Sequence, residues 1–238
     1  MAVIISTPTN YLQLVNRLKQ ECDVTGADLT TVEGQTGEYL RLVNWIEEAW
    51  ADIQLKNDNW RFRRKSMTFQ TVASTASYST ATIGLTDFAM WKDRSFRIFL
   101  TSVGQTGETF LTQKSYDIFR DTYLYGSLKT AESRPNIIAI KPDESLVLAL
   151  VPDAIYTVSG DYYSVPYVMG SEADPSIATP DMPTRFYLAI VGLAMQKYAI
   201  FESAPEVKVR GEDMFKLYYN KLTSSQAPNF SHGSPMIG

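Results

Sequence analysis

Residues 37–59 read GEYLRLVNWIEEAWADIQLKNDN. Leu42, Ile46, Ala49 and Ile53 recur at helical spacing, with Trp45 and Trp50 flanking the stripe. The segment therefore predicts an amphipathic helix from about Gly37 to Asn57, which the polar run Asn57, Asp58, Asn59 brings to an end. Immediately beyond, the pattern changes to strand alternation. That change divides the chain.

Working back toward the N-terminus, Pro8 after Thr7 marks a helix start, and Leu12, Val15, Leu18 and Cys22 share one face of a helix over about Thr9 to Cys22. Gly26 stops it, and Asp28 to Thr36 reads as a polar loop. Working forward, Trp60 to Ser164 reads as short strands and turns. Met67 alternates with Phe69 and Val72, Phe96 with Ile98 and Leu100, and Tyr156 with Val158, Gly160 and Tyr162. Thr109 to Thr112 is a shorter strand. Ile137 to Ile140 and Leu146 to Leu150 flank Lys141 to Ser145, a good hairpin loop. Ser115 caps one short helix to Thr122.

Residues 166–182 are rich in Pro, Gly, Ser and Asp and read as a loop or linker. Pro183 to about Ser203 is apolar nearly all round, as a buried central helix would be. Pro205 opens a last helix to about Thr223, with Val207, Met214, Tyr218 and Leu222 on one face. The expected fold is α+β. Residues 1–59 and 183–222 form a four-helix bundle from both chain ends, and 60–165 an inserted antiparallel β module. Residues 223–238 carry no Lys, Arg, Asp or Glu and are expected as a flexible arm.

Composition narrows the function. The formal net charge of −4 disfavours a general nucleic-acid binder, because phosphate binding needs a basic field. Cys22 is the only cysteine and His232 the only histidine, the latter in the uncharged tail. A Ser-His-Asp device, a zinc site and an intramolecular disulfide are thereby disfavoured. There is no GxxxxGK[ST] or GxGxxG phosphate loop. No cofactor or metal is expected, and no enzyme. Carboxylate-only hydrolysis stays open as a remote alternative, but Asp87, Asp93 and Asp161 are scattered and no spacing pairs them. Phe186 to Met195, the most apolar stretch, is too short to span a bilayer, so a soluble protein made in the cytoplasm is expected, without membrane contact.

Four features could carry contacts instead. Trp60 to Lys65 (WRFRRK) interleaves aromatics and cations. On a continuous strand it would turn Arg61, Arg63 and Lys65 outward, toward a neighbouring subunit or partner, and Trp60, Phe62 and Arg64 the other way. Glu48 and Asp52 lie on the polar side of the second helix, either simply a solvated face or, in a ring, an acidic ridge that lines a channel and keeps DNA from sticking. Trp45 and Trp50 are candidate interface anchors, or simply core. Phe230, Met236 and Ile237 space the tail with apolar anchors that suit docking on a partner.

Several stretches together resemble the head-to-tail adaptor, or connector, proteins of tailed bacteriophages. They are Tyr11 to Leu18, Gly34 to Glu38, Trp45 to Gln54, Trp60 to Phe62, Met90 to Lys92, Ser95 to Ile98, Tyr116 to Arg120 and Met182 to Phe186. The resemblance reaches about Leu222 and rests on helix and strand patterns rather than catalytic signatures. It implies a structural virion protein of the neck, in a ring of about twelve copies beneath the portal. The portal protein, the next tail or neck protein and further copies of itself would be its partners. Genomic DNA would pass through the ring without sequence-specific contact, and the C-terminal arm would engage the portal. A β-rich tail or baseplate recognition protein is the main alternative.

Overall fold

The computed structural model describes residues 7–227. These form a mixed α+β structure with six α-helices and two sheets. The helices are α1 Tyr11–Glu21, α2 Gly37–Leu55, α3 Thr80–Ile83, α4 Tyr116–Tyr123, α5 Leu188–Glu202 and α6 Pro205–Gln226. The strands are β1 Arg64–Gln70, β2 Ser77–Tyr78, β3 Phe88–Trp91, β4 Arg97–Leu100, β5 Thr109–Phe110, β6 Thr112–Lys114, β7 Ile137–Ile140, β8 Leu146–Ala149 and β9 Tyr156–Ser164. The described residues divide into two compact units, 7–62 with 166–227, and Arg63–Val165.

In the helical unit the apolar stripes become the core. Leu14, Val15 and Leu18 of α1 meet Leu42, Ile46, Ala49, Trp50 and Ile53 of α2 and Ile190, Val191, Ala194 and Met195 of α5. Asn10 caps α1 by accepting from the Gln13 amide. The loop after α1 is pinned from the helix: Lys19 Nζ donates to Gly26 O at 2.7 Å, and the Asn16 amide both donates to and accepts from the Leu29 backbone.

At its N-terminus α5 is preceded by a 3-10 turn over Thr184–Phe186, so the helix itself starts later than the apolar run at Pro183 predicts. Its last turn is not buried: Ile200 is 70% and Phe201 56% exposed. Ser203, at φ 55°, reverses the chain into α6, with Pro205 in its first turn. The two helices meet backbone to backbone. A Cβ on Gly192 would lie 2.6 Å from Phe215 N, and one on Gly211 would lie 2.9 Å from Gly192 O.

Residues 166–182, expected as a linker, are irregular yet packed into this unit. Met169, Ala178 and Met182 are buried in its core. Gln54 is bonded both ways to the Tyr167 backbone, and Tyr11 N donates to Ala178 O at 2.8 Å. An amide side chain that satisfies a donor and an acceptor at once makes this irregular backbone cheap to bury.

In the β unit, β9 is the spine of one sheet, in the order β1-β9-β4-β5, with β3 also on β9. The other runs β2-β8-β7-β6. This second sheet is not wholly antiparallel: β6 runs parallel to β7. A parallel pair needs a long connection, and the segment holding α4 supplies it. Leu146–Ala149 is buried on both faces, with Leu146 and Leu148 in one cluster and Val147 and Ala149 under Phe119 of α4. That explains its unbroken apolar run.

Candidate functional site

The basic stretch departs from the expected strand. Arg61–Arg63 is a 3-10 turn and β1 starts only at Arg64, so the predicted alternation of faces fails. Trp60 is fully buried, its indole N–H shared between Ile53 O and Gln54 O, and its ring stacks on Phe62 at 5.3 Å. Arg63 is buried rather than outward: Nε donates to Ser164 O at 2.9 Å, and Nη2 donates to the same oxygen. Arg64, not Arg63, faces outward, where it pairs with Asp161. Lys65 reaches Asp87 at 2.6 Å. Arg61 is exposed and forms no ion pair among the described residues.

Those two aspartates are thereby committed to structural pairs. Burial works to raise the Asp87 carboxyl, but hydrogen bonds from Lys65 and Tyr162 and the Lys65 charge outweigh it and hold it below the usual range. Asp161 likewise resists its burial through Arg64 and Ser66 and lies low. Asp93 accepts from Gln113 at 2.8 Å. Asp87 and Asp161 therefore stand in separate networks, each with its own cation. Among the described residues no group of three His, Cys, Asp or Glu side chains could hold a metal ion. The Cys22 thiol is buried and pushed up to about 12 by that burial, a reactivity-quenching setting.

The second helix does gather sequence-predicted residues. Arg41, Trp45, Glu48 and Asp52 follow one another along one face of α2, opposite the last turns of α5. The Arg41 guanidinium lies 4.6 Å from the Phe201 ring centre. Trp45 packs its edge on Tyr198 at 5.8 Å and against Phe201 at 5.7 Å. Lys197 sits between Glu48 and Asp52 at 3.3 and 2.9 Å. Burial would depress this ammonium, but the two carboxylates outweigh it and hold it above its ordinary value. The result is a half-exposed aromatic and acidic seam along α2 and α5. Trp50 is not part of it: it is fully buried in the core beside Phe62. Five residues on from Trp45, Trp50 lies about 140° round the helix, which carries it from the wet side to the core.

Two further features escaped the sequence reading. Glu47, next to the seam, turns inward and accepts from the Met169 and Gly170 amides at 3.0 Å each, tying the irregular segment to α2. Burial pushes its carboxyl up, against the lowering effect of those amides and of Tyr11. The signal available was a Glu between Val43 and Trp50, on the buried flank of the helix. The second is a groove of about 560 Å³ lined by Arg185, Phe186, Leu217, Asn220, Lys221 and Ser224. Its residues come from two segments distant in sequence, so no local pattern announces it.

Phe230, Met236 and Ile237 lie outside the described residues. No described helix is long and apolar enough to cross a membrane. Compared with known protein families and with curated proteins, the chain finds no match.

Proposed function

We propose that this chain is a structural subunit of the neck of a tailed bacteriophage. It would be a head-to-tail adaptor that joins the portal to the next tail component and extends the DNA channel. In this reading α1, α2, α5 and α6 act as a four-helix bundle that builds the ring. The β unit offers surface to the neighbour below. The work is done by contact, without chemistry, and DNA passes without sequence-specific recognition.

The observation that carries the reading is the seam of Trp45, Phe201, Glu48 and Asp52. Large rings, half wet and backed by Arg41, are what an interface wants at its centre, and charges at its rim. The motif resemblance supplies the identity of the partners. The uncharged tail with Phe230, Met236 and Ile237 supplies a portal-binding arm.

The test is electron microscopy of the purified chain mixed with its portal ring. Added density of about twelve subunits under the portal is expected, and its loss on deletion of residues 228–238. The deletion begins there because α6 continues to Gln226, beyond the Thr223 boundary that composition predicts. A portal that stays bare in the presence of the full chain sinks the proposal and favours the β-rich recognition protein. A truncated chain that still decorates the portal sinks the arm.

A further inference from the structure

The groove of about 560 Å³ lies between the 3-10 turn that precedes α5 and the last turns of α6. Phe186 and Leu217 supply its apolar part, and Leu217 is 51% exposed. No carboxylate lines it. Among the described residues Arg185 and Lys221 form no ion pair. Each rests on a ring instead, Arg185 on Phe186 at 4.7 Å and Lys221 on Tyr218 at 5.6 Å, so their stems add apolar wall. Leu217, Lys221 and Ser224 stand at i, i+4 and i+7, which carries one face of α6 from the groove to the end of the helix. Ala227 then leaves α6 in an extended conformation, and Pro228 cannot continue the helix. Phe230 follows three residues after Ala227. Three residues span at most about 11 Å, roughly the rise of seven residues of helix. Covalent reach therefore tethers Phe230 to the stretch from Asn220 to Ser224, where the groove lies.

We infer that the segment after α6 turns back and seats Phe230 in this groove, within the same molecule. The tether favours its own chain over any other occupant. A short linker holds a group at an effective concentration on the order of mM, so a contact too weak to form between separate molecules forms here. Residues 228–238 carry no Lys, Arg, Asp or Glu, so neither Arg185 nor Lys221 repels them. Gln226, two residues on from Ser224, keeps its side-chain oxygen buried without a donor. A backbone N–H of a returning chain would satisfy it. The inference builds on the adaptor reading and adds a step to it: the arm is held on the subunit that carries it until a portal draws Phe230 out. Portal affinity is then lowered in proportion to the share of subunits whose arm is at home.

The test uses the full chain with p-benzoylphenylalanine in place of Phe230. It is irradiated at low concentration, and the peptides joined within single chains are mapped by mass spectrometry. Cross-links to the Arg185–Phe186 wall, which belongs to a distant segment, are expected alongside those to Leu217 and Lys221. Leu217→Glu puts a charge where the ring would sit and should cut the yield at Arg185–Phe186 about fivefold or more. Ser224→Trp, which fills the groove from another position, should do the same, so the test does not hang on one variant's folding. Val209→Glu, at a 58% exposed position of the same helix, should leave the yield unchanged. Circular-dichroism melts confirm that the three fold like the parent. With the arm released, Leu217→Glu should also bind the portal about threefold more tightly. Cross-links that miss Arg185–Phe186, that form only between chains, or that persist in both groove variants overturn the inference. Portal binding unchanged by Leu217→Glu overturns the competition between groove and portal. A chain that binds the portal without these cross-links sinks only this inference. A chain that cross-links by these rules but ignores the portal sinks only the adaptor reading.

Discussion

The two units treat charge differently. In the β unit the cations are paired at home: Arg64 with Asp161, Lys65 with Asp87, Arg97 near Glu108. The helical unit has such pairs too, Arg17 with Glu21, Lys19 with Asp28 and Lys208 near Glu212, but there Glu48 and Asp52 share a single lysine, while Arg185 and Lys221 rest on rings. A basic run in the sequence is therefore a poor guide to a partner surface. What matters is whether the fold brings a carboxylate to meet it, and in the densest basic stretch Arg64 and Lys65 are met in this way while Arg63 turns inward to a backbone carbonyl.

The sharpest way to test the contrast is through glycine. Gly192 and Gly160 both sit under a close neighbour, but the neighbours differ. At Gly192 an added Cβ meets main chain, Phe215 N at 2.6 Å and Gly211 O at 2.9 Å, which can move only if α6 moves. Gly192→Ala should cost about 3 kcal/mol of stability in thermal melts. At Gly160 the added carbon meets the ends of side chains, the Phe96 ring at 2.7 Å and Met67 Cε at 3.1 Å. Gly160→Ala should cost about 1 kcal/mol, the price of a rotated ring. Equal losses would break the distinction between a backbone crossing and a side-chain contact.

A smaller contrast lies within the basic stretch. Arg63→Ala removes a buried guanidinium that holds the Ser164 carbonyl, and should cost about 2 kcal/mol in denaturant titrations. Arg64→Ala cuts a pair with its arginine 45% exposed and should cost about 0.5 kcal/mol. The reverse order would restore the outward face that strand alternation predicts for Arg63.

The smallest effect is a difference in pH response. Glu47 is raised in the folded chain, mainly by burial, so folding favours its neutral form. Its contribution is complete below the ordinary glutamate pKa and is lost as pH climbs through the raised value. Asp87 and Asp161 are lowered, so theirs is present above the ordinary aspartate pKa and is lost as pH falls through the lowered values. Peptide-resolved hydrogen exchange should find acid loosening β1 and β9 before α2 and the segment it ties down. Glu47→Gln should remove the helical unit's share of the dependence. Acid loosening α2 first would reverse the assignment.

Much of this fold could be read in advance, and the failures share a cause. The stripe of Leu42, Ile46, Ala49 and Ile53 is buried, and a loop at Lys141 to Ser145 does join two strands. Ser115 does precede a helix, although its side chain makes no cap bond. Periodicity and turn chemistry are local, and local signals survive folding. The inward turn of Arg63 depends on the Ser164 carbonyl, about a hundred residues away in the chain. The burial of 166–182 depends on Gln54 and Glu47, which look like surface residues until their backbone partners arrive. The parallel β6 and β7 pair depends on a register that alternation alone cannot supply. At the candidate site, Trp45, Glu48 and Asp52 were legible because they share one helix. Their companions Lys197 and Phe201 were not, because α5 reads as apolar throughout.

The bare crossing of α5 and α6 has a consequence for how such a protein can change over time. Where side chains separate two helices, substitutions shift the spacing by small steps, and angle drifts with sequence. Here main chain rests on main chain at Gly192 and Gly211, so there is nothing to trim and no room to add. The outer surfaces of the pair are free to diversify, while the tilt between them is held to a single value, as a hinge is held by its pin.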